Sequence, residues 1–505
     1  MLNDNKILLN FDEDCEAFFI NSLHGEYEDL AQKARTYLEK HYKGNVGDIL
    51  FNVFCQSSLT PSRVFTTKLE KYYQTVENGI PVDYSDNKYL RASKISQEDH
   101  GVCITGVWIE HCKKIGINPW LSFRMNDHHC WQDDTSSLRS DFYYEAKRNG
   151  WLLGEKYRSS QNDFDYGVPE VREKMLAYIK EQLTAFDVFG IELDFMREPK
   201  CVRFYDDPHT CDHLNEFLTR TKRIVEECAA LHGHPIKIAV RLPRDMALCK
   251  TLGFDITHWA KEGLIDVAIP SSHWVGVDTG MPISAWHGAL SAYGVEIYAC
   301  MEMNLPNKLY VDLEVAKAHT AQYHPQGSKR TYVFNLYHPH LDYVNGLGIW
   351  AIPAPTAEEL TALWSTCGDI EKCHRGTRRH ILTEESPAYD YLHPQWKPLP
   401  ALVGDGVDFE VQTGTISQDA TLTLFLGFNG QTNDEVAVLL NGVPCKKCAD
   451  NHRAHVLKNA EIDPRSIHAF RVPASACRGI TQNIHVTANR QTEIFYLELM
   501  VEENT

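Results

Sequence analysis

Between residues 1 and 370, short apolar runs alternate with stretches whose apolar positions recur every three to four residues, a rhythm that reads as strands alternating with amphipathic helices. The runs predict strands at 6–10, 47–54, 119–126, 189–195, 236–242, 265–270, 296–302 and 330–337. The periodic stretches predict helices at 26–42, 101–116, 169–186, 214–231, 256–263, 283–293, 311–323 and 357–365. Pro169 stands where a helix begins and a missing N–H costs nothing, while Gly116, Gly263 and Gly294 stand just past helical stretches.

Strands each followed by a helix, in this number and over this length, predict an α/β fold: a (β/α)8 TIM barrel with insertions. A doubly wound sheet is the competitor, but the turn after the first strand reads Asn10-Phe11-Asp12-Glu13-Asp14 and lacks the glycines of a dinucleotide turn. The longest insertions, 55–96 and 127–168, follow the second and third strands, at the C-terminal mouth where barrels keep their chemistry. From about residue 385 the texture changes to alternating runs at 407–412, 420–426, 436–440 and 492–501, punctuated by Asn429-Gly430 and Asn441-Gly442. The expected division is a catalytic barrel over 1–384 and a C-terminal antiparallel β-sandwich over 385–505. Pro394, Pro398 and Pro400 mark 393–400 as the linker between them.

Composition narrows the function classes. The 505 residues carry 50 Lys plus Arg against 68 Asp plus Glu, and 50 − 68 gives −18. That excess argues against a nucleic acid or an anionic membrane as partner, since neither would be neutralised. No run reaches membrane-spanning length, and the N-terminus has neither a basic segment nor an apolar one behind it. As written the chain is expected to be cytoplasmic; it would be periplasmic or secreted if a signal peptide had been removed. The 15 cysteines are scattered through apolar segments, which suits reduced thiols. Cys445 and Cys448 form a single CxxC, too little for a zinc site without a second pair. The sequence leaves open whether the chain is a monomer or a homo-oligomer.

Side-chain parity locates the chemistry, because residues two apart on a strand point the same way and the inward ones at the C-terminal end line the mouth. In 191–195 the apolar Ile191, Leu193 and Phe195 must face the helices, which turns Glu192 and Asp194 inward. The same test turns Ser122, Arg124 and Asn126 inward on the third strand, Ala239 and Arg241 on the fifth, and Glu302 on the seventh. The eighth ends at Asn335, followed by Tyr337, and His273 and Trp274 come after the sixth. Paired carboxylates on facing strands suit glycosidic cleavage, in which one protonates the leaving oxygen and the other attacks the anomeric carbon or activates water. Arg124 and Arg241 could hold one carboxylate ionised while burial keeps the other protonated. Trp131, Trp274 and Tyr337 offer faces for sugar stacking.

Metal chemistry is a rival reading, because Asp127-His128-His129 with Asp133 and Asp134 directly follows the third strand. Against it, the first strand ends in Asn10-Phe11-Asp12 where a metal-dependent barrel hydrolase would carry His-x-His, and no HExxH is present. No metal or other cofactor is therefore expected. No G-x-S-x-G elbow, Walker loop or Cys/His pairing supports nucleophilic or phosphoryl chemistry.

The segment Val188 to Arg197, "VFGIELDFMR", preceded by Val168-Pro169-Glu170-Val171-Arg172, resembles the fourth-strand region of the hypothetical glycosyl-hydrolase-like TIM-barrel family. "WLSFRMNDH", Trp120 to His128, is similar to the third strand of the same group. The resemblance covers residues 1–370 and implies a carbohydrate-active barrel with Asp194 as a catalytic carboxylate. Leu193-Asp194 stands where the retaining glycosidase clan places Asn-Glu. The trailing domain resembles, in fold, the small sandwich that often follows such barrels.

The expectation is a glycoside hydrolase acting on an oligo- or polysaccharide, with Asp194 as general acid/base and Glu302 as nucleophile or base. Glu192, Arg124, Asn126, Asp127, His128, Arg241, His273, Trp274, Asn335 and Tyr337 are expected to bind the carbohydrate substrate. The alternatives are a non-hydrolytic carbohydrate-binding barrel, or a metal-assisted lyase or hydrolase using Asp127, His128 and Asp194.

Overall fold

A computed structural model describes residues 6–12, 14–41, 44–79, 88–127, 129, 136, 138–272, 279–305, 309–334, 356–382, 398–430 and 435–503. Parallel strands β1 (Ile7–Phe11), β2 (Val46–Cys55), β3 (Asn118–Arg124), β4 (Gly190–Asp194), β5 (Lys237–Pro243), β6 (Val267–Ser271), β7 (Glu296–Glu302) and β8 (Ser328–Phe334) pair in sequence order. β1 pairs with both β2 and β8, so the sheet closes into a (β/α)8 barrel. The predicted strands are all present, with ends displaced by a residue or two; residues 335–337 of the eighth lie outside the described residues.

Helices cover the outside because parallel neighbours cannot be joined by a tight turn. Leu30–His41, Ile104–Ile115, Pro169–Ala185, Thr210–His232, Ile256–Lys261, Ile283–Leu290, Leu313–Tyr323 and Ala357–Thr366 follow the strands in order. Three further helices, Lys68–Glu77, Lys88–Ser93 and Asp141–Asn149, occupy the insertions that the sequence reading leaves as loops. They are short and polar, and local capping sets their starts: Thr67 and Glu70 form a reciprocal capping box, and the Ser140 hydroxyl accepts from the Tyr143 N–H.

Strand alternation divides the core in two. Leu9, Ile49, Leu121, Ile191, Val240, Met301 and Val333 pack outward against the helices, while Leu8, Leu50, Trp120, Ala239, Ile269, Cys300 and Tyr332 fill the barrel. Towards the N-terminal end the Trp120 ring covers Gly190, and its Nε1 donates to Asp48 Oδ1 at 2.8 Å. Arg330 neutralises the other Asp48 oxygen.

The C-terminal domain contains antiparallel strands β9 (Gly376–Leu382), β10 (Ala401–Val403), β11 (Val407–Gln412), β12 (Thr421–Phe428), β13 (Val436–Leu440), β14 (Val443–Pro444), β15 (Lys446–Cys448), β16 (Ile467–Val472), β17 (Thr481–Ala488) and β18 (Thr492–Glu503). One sheet runs β9-β18-β12-β16-β15, with β10 also on β18, and the other runs β11-β17-β13-β14. Their inner faces share a core that includes Val411, Leu424, Val438, Ile484 and Leu499. β9 precedes the 384/385 division, so the sandwich includes a strand that the sequence reading leaves with the barrel. Residues 393–397 of the expected linker lie outside the described residues. Arg379 of β9 reaches both Glu314 on a barrel helix and the buried Glu498 of β18, and Gln326 donates to Gln412 at 2.8 Å. Among the described residues no helix is long and apolar enough to cross a membrane.

Gly190 tests the packing inside the barrel. A Cβ there would collide with the Trp120 ring, so Gly190→Ala is expected to cost about 1–3 kcal/mol in urea unfolding. Unchanged stability would mean that this ring is not held against β4.

Candidate active site

The inward-facing residues at the C-terminal strand ends are Asn10 and Asp12 on β1, Asn52 on β2, Ser122 and Arg124 on β3, Glu192 and Asp194 on β4, Arg241 on β5, Ser271 on β6 and Glu302 on β7. All are buried. Register puts Arg124, Asp194 and Arg241 side by side on neighbouring strands, with Ser122 beside Glu192 one step deeper.

Asp194 is surrounded by donors. Arg241 donates from Nε to Oδ1 and from Nη2 to Oδ2, both at 2.9 Å, and the backbone N–H groups of Met196 and Arg197 each donate to Oδ1 at 3.0 Å. The guanidinium is itself fixed, by Ser271 Oγ at 3.2 Å and by the Phe334 ring beneath it, 3.6 Å from centroid to Cζ. A carboxylate anion can accept four such bonds, whereas a neutral carboxyl would have to turn a proton towards one of the donors. The four bonds favour an anion at Asp194, and three of the five Arg241 N–H groups are engaged by Asp194 and Ser271.

Glu192 lives in the opposite environment. Ser122 Oγ donates to Oε2 at 2.5 Å, and Oε1 has no hydrogen-bond partner among the described residues. Burial pushes its carboxyl up to about 7, the Asp194 charge pushes the same way, and Arg241 opposes both only in part. Two carboxylates on one strand thus sit in different environments: Asp194 accepts four hydrogen bonds and Glu192 accepts one from Ser122. Across the mouth, Glu302 Oε1 accepts from the backbone N–H and the side-chain Nδ2 of Asn304, at 3.2 and 2.9 Å.

A second network ties β1 to β3. Arg124 donates Nη1 to Asp127 Oδ2 at 2.8 Å, and its Nη2 pairs with Asp12. Asp127 Oδ1 also accepts from the His129 backbone at 2.9 Å, from His129 Nδ1 at 2.6 Å and from Gln56 at 3.3 Å. Arg197 Nη2 lies 2.9 Å from His129 Nε2. Since a guanidinium only donates, Nε2 accepts and the ring proton sits on Nδ1. Burial raises the Asp127 carboxyl, but the His129 contact and the two guanidinium charges outweigh it and hold the group well below the usual carboxylate range. Asn126 is equally committed: Nδ2 donates to the carbonyls of Phe164 and Lys200, and Oδ1 accepts from the Phe164 N–H. Arg124, Asn126 and Asp127, expected to bind sugar, also tie the strand ends and loops of the mouth together.

Cys55, Asp127 and His129 bring three potential metal-ligating atoms within 4.8 Å of one another. The donor set does not fit a cation. Two guanidinium groups already occupy Asp127 and His129, and burial pushes the Cys55 thiol up to about 12, away from the thiolate a metal needs. The metal-assisted alternative also calls on His128, which lies outside the described residues.

His128, Trp131, His273, Trp274, Asn335 and Tyr337 lie outside the described residues. The sequence reading missed Asp12, Gln56, Arg197 and Asn304 as members of the mouth, and named His129 only in the metal reading. Parity applied to β1 would have found Asp12, since Ile7, Leu9 and Phe11 face the helices. The others sit in loops, where no periodicity reports direction.

No family model matches this chain, and no curated protein matches it either. Among solved structures, it is similar to a glycoside hydrolase family 18 N-acetylglucosaminidase from Paenibacillus barengoltzii, at 10% identity and a TM-score of 0.30, over 59% of this chain and 68% of that one. It is similar to alpha-L-fucosidase isoenzyme 1 from Paenibacillus thiaminolyticus, at 10% identity and a TM-score of 0.35, over 96% and 97% of the two chains. It is also similar to chitinase ChiW from a Paenibacillus species, at 8% identity and a TM-score of 0.39, over 99% and 54%. At such scores the chemistry of this chain has to come from its own side chains.

The raised Glu192 carboxyl sets a direction for stability against pH. The folded state binds its proton more tightly than the unfolded chain, so the stabilising contribution is complete below about pH 4.5 and is lost as pH rises through about 7. Glu192→Gln mimics the neutral form. Its melting temperature should match that of the wild type near pH 4.5 and exceed it by a few degrees at pH 8. A constant difference across that range would show that Glu192 does not titrate as described.

Proposed function

We propose that the protein is a glycoside hydrolase that cleaves a glycosidic bond of an oligo- or polysaccharide with two carboxylates, Asp194 and Glu302. The observation that supports this reading is the division of labour imposed on buried carboxyls in one mouth. Asp194 is held as an anion by Arg241 and two backbone N–H groups, while its neighbour Glu192 is driven towards neutrality. Glycosidic cleavage needs one anionic and one protonated group around the bond. Asp194 serves as the anion, attacking the anomeric carbon or activating water, and Glu302 supplies the proton to the leaving oxygen. Glu192, beneath Asp194, is pushed up to about 7 by burial and by the Asp194 charge, so a second buried charge is disfavoured below that pH. His128, His273, Trp274, Asn335 and Tyr337 follow β3, β6 and β8 in the chain and are assigned to hydroxyl contacts and sugar stacking.

Asp194→Asn and Glu302→Gln should each lower hydrolysis of an oligosaccharide about 10³-fold or more, with circular dichroism unchanged. The two variants should part company on a nitrophenyl glycoside, whose leaving group needs no proton. Glu302→Gln should regain much of its rate there and Asp194→Asn should not. Near-normal oligosaccharide turnover by either variant overturns the pairing, and the reverse pattern of rescue exchanges the roles.

A further inference from the structure

The helix Leu313–Tyr323, which follows β7, has no solvent face along most of its length: every residue from Val315 to Tyr323 is buried. An outer helix of a barrel ordinarily keeps a polar face towards water. Here the C-terminal domain packs against it. Ile381, Phe425, Val456 and Met500 of that domain belong to the same hydrophobic cluster as Val315, Ala316 and Tyr323 of the helix. Gly414 comes so close that a Cβ there would collide with the Ala321 carbonyl. The helix also holds β7, because His319 Nε2 donates to the Cys300 carbonyl at 3.1 Å.

Asp312, the residue that caps this helix, is gripped from both domains. Its Oδ1 accepts from the Glu314 and Val315 N–H groups at 3.0 and 3.1 Å, while Oδ2 accepts from His455 Nε2 at 2.9 Å and pairs with Lys458. Burial raises the Asp312 carboxyl, but the His455 and Lys458 contacts outweigh it and hold the group well below the usual carboxylate range. His455 is buried and fixed in turn, its backbone N–H donating to Glu498 Oε2 at 2.8 Å. Between Asp312 and Glu302 the chain is short and bonded to itself. The Val311 N–H donates to the Met303 carbonyl at 3.0 Å, Asn304–Leu305 pairs antiparallel with Leu309–Tyr310, and Asn304 donates twice to Glu302 Oε1. The grip on Asp312 therefore continues, bond by bond, to the Glu302 carboxyl.

We infer that the C-terminal domain sets the position of the Glu302 carboxyl, with His455, acting through Asp312, as a positioning residue, a role that rests on the hydrolase reading above. Misplacing a reacting group by about 1 Å can cost about 100-fold in rate, so slackening this grip should cost about tenfold. His455→Ala removes the donor to Asp312, and His455→Gln restores an N–H near the place of Nε2. His455→Ala should lower kcat on an oligosaccharide about tenfold with KM within about twofold of wild type, and should lose far less on a nitrophenyl glycoside, whose leaving group needs no proton. His455→Gln should recover most of that kcat. Deuterium exchange of the backbone amides over residues 303–315 should quicken about tenfold in His455→Ala while β4 is unaltered. A folded His455→Ala protein overturns the role if its kcat stays near wild type, if it falls equally on both substrates, or if exchange over 303–315 is unaltered. If the wild type cleaves nothing, or Glu302→Gln turns over normally, the hydrolase reading fails instead, and exchange alone decides whether the domain fixes the Glu302 loop: quickening supports it and unaltered exchange overturns it. Where His455→Ala does not fold, Lys458→Ala at the half-exposed partner of Asp312 takes its place, with the same outcomes read as about threefold changes.

Discussion

The bidentate pair between Arg241 and Asp194 is the contact on which the mouth depends. A closed eight-stranded barrel has a narrow interior, and parity along β4 and β5 delivers both side chains into it. Neither charge could remain there alone, since removing one partner of a buried pair costs about 3–5 kcal/mol. The pair is seated from both sides: Phe334 and Ser271 hold the guanidinium, and the turn after β4 points two backbone N–H groups at the carboxylate. The same turn brings Arg197 towards His129, so the fixing of Asp194 is continuous with the network that joins β3 to β1.

Much of this was legible because the barrel imposes simple rules. Period-two alternation in Ile191 to Phe195 and in Trp120 to Arg124 leaves one orientation in which the apolar residues meet the helices, and the charges then go inward. Helix positions followed from their apolar stripes and from Pro169. What parity does not carry is the identity of partners. It brought Arg124, Arg241, Asp194 and Glu192 to one face, yet nothing in the spacing says that Arg241 takes Asp194 with both oxygens while Glu192 receives a serine hydroxyl. That difference is what the proposed role of Asp194 as the anion rests on.

The remaining misses have physical causes of the same kind. β9, Gly376-Thr-Arg-Arg-His-Ile-Leu, has few apolar residues and reads as a polar connection, but Arg378 and Arg379 are neutralised by Glu503, Glu314 and Glu498, which lets it pair along β18. In the Asp127-His128-His129 cluster the histidine shown to bond Asp127 is the second one, because its backbone N–H and ring Nδ1 both turn back onto the same carboxylate oxygen. A turn of this sort is a local Asx interaction with no periodic signature. Asn126 was assigned to substrate by parity, yet it serves as a clamp between the loops after β3 and β4, since both loops present backbone groups to its amide.

Glu192 and Asp194 show why electrostatics, more than proximity, orders this site. They are two residues apart on one strand, so their carboxyls face the same interior, and the Asp194 charge raises the cost of ionising Glu192. Arg241 can offset one charge fully by its fork, and its geometry awards that offset to Asp194. Glu192 then takes the proton, which keeps the pair near overall neutrality with Arg241. The arrangement is stable only while that proton stays: as pH climbs through about 7, a second anion develops beneath Asp194 with no counter-ion of its own. The field at the mouth therefore changes as pH passes through about 7, and the carboxyl responsible lies one step deeper than Asp194.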